Sequence, residues 1–131
     1  MRIYVPATPA MLVALKTDGV CSAQMAFTAG PDVYQAYSLE LDDIEIAEYL
    51  AMSLAAEDLG DGPILVIAAD VPDVAVLDGG EIGQRQLVDP LKLTQVASFH
   101  AGDASPSDED DGPELSWWAV QELPVLLATL D

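Results

Sequence analysis

The run Ile64-Leu65-Val66-Ile67-Ala68-Ala69 constrains the fold more than any other stretch of this 131-residue chain. Gly60-Asp61-Gly62-Pro63 precedes it and Asp70-Val71-Pro72-Asp73 follows it, so turn residues bound it on both sides. A strand that buries one face alternates apolar and polar residues. A strand with no alternation has to be covered on both. The run is also far short of the ~20 residues that span a bilayer. It reads as the central strand of a layered domain, and the rest of the chain has to supply its neighbours and its two covers.

Several stretches can do so. Arg2–Val5 reads as a short strand. Thr8 offers an N-cap oxygen, Pro9 suits a first helical position, and Met11, Leu12 and Leu15 give that helix its buried stripe before Gly19 ends it. Ala23–Thr28 reads as a second strand, and Pro31–Tyr37 as one or two helical turns. Asp42 and Glu45 have the spacing of a capping box, with Asp in place of Ser or Thr. From Tyr49 to Ala56 the only polar residue is Ser53, so the helix they begin is expected to be buried on more than one face. Val74–Leu77 and Arg85–Val88 read as strands around Asp78-Gly79-Gly80, Pro90–Val96 as a short helix, Val96–His100 and Leu115–Val120 as strands. Leu123, Leu126, Leu127 and Leu130 recur at helical spacing, with Pro124 tolerable in the first turn.

Helices and strands that alternate in this way favour an α/β layered domain over segregated α+β. The expectation is α/β: one domain over residues 1–131, with a mixed, partly parallel sheet of about five strands, flanking helices and an exposed acidic loop around 102–113. The segment Val74–Val88 has room for a hairpin but not for a crossover helix.

Charge narrows the partners. The chain has 23 Asp and Glu against four Lys and Arg, a formal charge of −19. Residues 1–30 hold two cations and one acid, whereas residues 31–131 hold two cations and 22 acids. Such a field repels nucleic acid and anionic membrane and attracts cations and basic proteins. An apolar share of 51% still allows a core, because disorder needs low hydrophobicity as well as high charge. Cys21 is the only cysteine, and the opening residues lack the apolar segment and cleavage site of a secretory signal, so the expected setting is cytoplasmic.

No complete catalytic motif is present. Ser107–Gly112 offers oxygen ligands for Ca²⁺, but with Gly112 at the sixth position of an EF-hand loop the twelfth is Trp118 instead of Glu. Asp70 and Asp73 follow the apolar strand, where α/β proteins tend to bind ligands, yet there is no phosphate-cradling P-loop, and both can also cap the turn at Pro72. Gly79-Gly80-Glu81-Ile82-Gly83 lacks dinucleotide-binding spacing and reads as a turn. His100 is the one side chain that ordinarily titrates near neutrality; Asp103 is close enough in sequence to orient it, and Cys21 and Ser105 are the nucleophiles considered for it. Trp117 and Trp118 point to opposite sides if they share a strand. An exposed tryptophan anchors interfaces, and Trp118 joins the interaction candidates.

The opening Met1–Thr8, the centre Ala68-Ala-Asp-Val-Pro-Asp73 and the end Trp117-Trp-Ala-Val-Gln-Glu-Leu123 together resemble a family of small uncharacterised acidic proteins from actinobacteria, a domain of unknown function. The resemblance covers nearly the whole chain. It implies a single intact, cytoplasmic bacterial domain, and it implies no catalytic residues.

The functional expectation is a non-enzymatic acidic interaction or regulatory protein that binds a basic protein partner, with no cofactor and with room for a homo-oligomer. The alternative is a small α/β enzyme or ligand-binding protein with a site at the strand ends near Asp70, Asp73, His100 and Asp103.

Overall fold

In the computed structural model, which describes residues 1–60, 63–102 and 115–130, the apolar run is strand β4 (Ile64–Asp70), and Ile64 to Ala69 are all buried. Its neighbours are β1 (Arg2–Pro6) and β8 (Val96–Gly102). Further out lie β3 (Met25–Phe27), β6 (Gln84–Leu87) and β5 (Val76–Asp78) on one side and β9 (Ser116–Ala119) on the other, giving the order β5-β6-β3-β1-β4-β8-β9. A separate ribbon pairs β2 (Val20–Cys21) with β7 (Leu91–Lys92).

Period-two alternation sorts the side chains of this sheet into two cores. Ile3, Val5, Leu65, Ile67, Ala69 and Phe99 meet Leu12 and Leu15 of helix α1 (Pro9–Asp18) and Leu123 and Leu126 of helix α4 (Leu123–Thr129). On the opposite face Tyr4, Phe27, Ile64, Val66 and Ala68 meet Ala51, Ala55 and Ala56 of helix α3 (Ile44–Asp58). A short helix α2 (Pro31–Ala36) leads into α3. Helix α1 has the ends its sequence specifies: Thr8 Oγ1 accepts from Met11 N at 3.3 Å, Pro9 opens the first turn, and Gly19 closes it at φ 77°.

The sheet differs from the expectation of a mixed, partly parallel array of about five strands. It has seven strands, and every hydrogen-bonded pair is antiparallel. The reason lies in β1. Strands β3 and β4 run in the same direction and are joined through α2 and α3, as in a parallel crossover, but β1 occupies the slot between them and runs opposite to both. The Val76–Leu87 segment forms the expected hairpin.

Three local expectations also change. The apolar stretch of α3 is covered over part of its circumference: Ala51, Ala55 and Ala56 are buried and Met52 and Leu54 pack partly against the same core, while Tyr49 is exposed. The capping box is not formed; Asp43 stands at the N-cap, and its carboxylate accepts from Glu40 N at 2.9 Å in the turn before the helix. Pro90–Val96 is not a helix but β7 followed by one 3-10 turn, Leu93–Gln95.

Candidate functional site

Strand β8 carries the first polar group on the sheet. Ser98 and His100 are two residues apart, so they project from the same face, and Ser98 Oγ lies 3.0 Å from His100 Nε2. A β-bulge between the Ala68 and Ala69 partners lets β8 keep this face register while Val96 turns into the opposite core. His100 stands opposite Val66 on one side and Trp117 on the other. Burial, and then the positive charge of Arg2, push the imidazole below its ordinary pKa, so it is neutral at pH 7. Ser98 is only 5% exposed and presents almost none of its surface to a substrate. The pair therefore satisfies its own polar atoms within the sheet face.

The same face holds two further pairs. Arg2 donates from Nε and a terminal nitrogen to Asp70 at 2.8 and 3.1 Å, a bidentate pair that holds the Asp70 carboxyl below the usual carboxylate range. Tyr4 Oη donates to Glu48 at 3.1 Å. Burial, followed by the negative charge of Glu48, pushes the Tyr4 phenol up to about 12.

The sequence-derived candidates do not gather at one place. Asp70 is engaged with Arg2, and Asp73 sits 3.4 Å from the Met1 amino group, both at the carboxyl end of β4. His100 pairs with Val66, four residues back along β4, which is about 13 Å at strand spacing. In a parallel sheet the carboxyl ends of neighbouring strands share an edge; in this antiparallel one those of β4 and β8 lie at opposite edges. Asp103 and Ser105, with the Ser107–Gly112 run and most of the 102–113 loop, lie outside the described residues. Cys21 is buried in the α1–α4 core, which pushes its thiol up and separates it from His100 by the sheet. Trp118 packs against that same core while its indole donates to Ser116 Oγ at 2.9 Å; Trp117 is the outward one, 63% exposed. Ser98 is the polar partner of His100 that the sequence reading passed over, and its spacing of two residues on a strand was the available signal.

The most distinctive surface lies on α3 and the turn before it. Tyr37, Leu41, Ile44, Ile46 and Tyr49 are all exposed, Leu41 to 91%. Interleaved with them are Glu40, Asp42, Asp43, Glu45 and Glu48. Among the described residues none of these carboxylates is in an ion pair; Arg2 is held by Asp70, and Arg85 by Asp32 at 3.0 Å. Ile46 and Tyr49 are one turn apart on the outward side of the helix. Among the described residues no three His, Cys, Asp or Glu side chains stand together in a metal-binding group, and no helix is long and apolar enough to cross a membrane.

The model of a family of unknown function, DUF6912, matches residues 1–127, and the chain belongs to that family. No curated protein and no solved structure matches the chain.

Proposed function

Since the family prescribes no chemistry, we propose on physical grounds that this chain is an acidic interaction protein that binds a basic, partly apolar protein partner through residues 37–49. The observation that carries the reading is the exposure of five large apolar side chains among the carboxylates of Glu40, Asp42, Asp43 and Glu45, which form no ion pair within the described residues. Exposed apolar surface rimmed by polar groups marks interaction sites. Here the rim has one sign, so it selects the sign of the partner and steers its approach. A second copy of the chain would set carboxylate against carboxylate, which disfavours self-association at this face. The same net charge disfavours nucleic acid and anionic membrane. The lone, buried Cys21 supports a reducing, cytoplasmic setting.

Affinity capture from the native cell at low and high salt tests this. The expected result is a basic protein recovered at low salt and lost as salt rises. The double variant Leu41→Ser/Ile46→Ser should weaken that capture roughly tenfold or more, a change of about 1.4 kcal/mol, with its circular dichroism unchanged. Recovery that is indifferent to salt, no recovered partner, or full binding by the variant overturns the proposal.

A further inference from the structure

A cleft of about 490 Å³ opens between the β5–β6 hairpin and the β2–β7 ribbon, on the far side of the molecule's sheet order from Trp117. Its volume is in the range that holds small ligands. Val71, Ala75, Leu87 and Leu91 give it apolar walls, and Leu91 is itself buried in the α1–α4 core, so this part of the wall is fixed by packing. Two charged side chains also line it, Asp89 and Lys92, and among the described residues neither is in an ion pair. In a chain with only four Lys and Arg, of which both arginines are held by carboxylates, an uncommitted ammonium at an apolar cleft is notable.

We infer that this cleft binds a small zwitterion with an apolar side chain, of the class of the free aliphatic amino acids. An ammonium group faces Asp89, a carboxylate faces Lys92, and the side chain covers Leu87 and its neighbours. Charge selects this class over its rivals. A simple anion is opposed by Asp89 and by the field of the whole chain; a simple cation is drawn by both but is opposed locally by Lys92 and leaves that ammonium without a partner. A zwitterion has no net charge for the long-range field to repel, while both local charges still act on it. The apolar walls then separate an aliphatic amino acid from glycine.

Titration of the intact, isotope-labelled chain with L-leucine, followed by amide NMR shifts, tests the inference. Leucine should shift the resonances of Ala75, Leu87 and Lys92. Leucinamide, which lacks the carboxylate, N-acetyl-leucine, which lacks the ammonium, and glycine should each bind at least roughly tenfold more weakly. Lys92→Gln should erase the difference between leucine and leucinamide, and Asp89→Asn the difference between leucine and N-acetyl-leucine. Both positions are exposed, so the variants are expected to fold. No shift at millimolar leucine, equal binding of the three leucine compounds, or variants that keep the wild-type order of affinities overturns it.

Discussion

Tyr4 is where the sheet and α3 exchange a polar contact across the second core. Its ring is buried with Phe27, Val66 and Ala68, and its hydroxyl donates to Glu48, which reaches down from α3. Burial and the Glu48 carboxylate both disfavour the phenolate, Arg2 opposes them, and the phenol is displaced from 10.0 to about 12. A group whose folded pKa is raised contributes stability that is complete below its unfolded pKa and is lost as pH climbs toward the folded value. Unfolding free energy should therefore fall between pH 10 and about 12, at up to about 1.4 kcal/mol per pH unit from this group. Tyr4→Phe should lose about 1 kcal/mol at neutral pH through the missing hydrogen bond, and should decline less steeply above pH 10. Urea midpoints of the two proteins across that interval check this; parallel declines would show that Tyr4 is not the responsible group. At this scale some of the candidate site was legible and some was not. His100 stands out as the only histidine, whereas Ser98 is marked by nothing but its spacing of two residues on the same strand.

Helix α3 shows how an element can be apolar almost throughout and still be covered on one side. Ala47, Ala51 and Ala55 recur every four residues, all fully buried, and their small side chains let the helix lie close upon Tyr4 and Ala68. Ala51→Leu adds bulk where there is no room, so it should destabilise by about 1–3 kcal/mol. Ile46→Ser, on the outward side, should cost less than about 0.5 kcal/mol. Chemical denaturation of both variants measures the contrast, and a neutral Ala51→Leu would show that the helix is not seated so closely. The sequence alone does not reveal this, because an apolar run from Tyr49 to Ala56 looks the same whether its larger members face a core or a partner. Elements with chemical start and stop signals were legible: α1 begins at the Thr8-Pro9 pair and ends at Gly19, and Ile64–Ala69 is covered on both faces. Strand direction was not. The pattern from β3 through α2 and α3 to β4 is that of a parallel crossover, and nothing local announces that β1, which ends at Pro6, far ahead of β4 in the chain, is inserted between the two. The dispersal of Asp70 and His100 follows from the direct antiparallel pairing of β4 with β8, which puts their carboxyl ends at opposite edges.

For the whole molecule, a formal charge of −19 has to be tolerated by the fold before it can serve a partner. Self-repulsion destabilises a compact chain, and salt relieves it as the Debye length shrinks from about 30 Å at 0.01 M to about 10 Å at 0.1 M. The two arginines are already committed to Asp70 and Asp32, ion pairs that tie β4 to β1 and α2 to β6, so they are not available to neutralise the turn before α3. Reversing charge there separates the two roles of the acids. Asp42→Lys/Glu45→Lys should raise the melting temperature at low ionic strength and have little effect at high, because it removes repulsion that salt otherwise screens. If the acids at 40–48 served solubility alone, the same variant would leave capture of a basic partner intact. If they form the binding rim, it should lose the partner while gaining stability. Thermal melts at two salt concentrations, run beside the capture assay, read both outcomes from one protein. A variant that gains stability and keeps its partner would move the interface elsewhere. One that gains stability and loses its partner means these residues are retained at a cost to the fold, which is the pattern expected of a surface selected for binding.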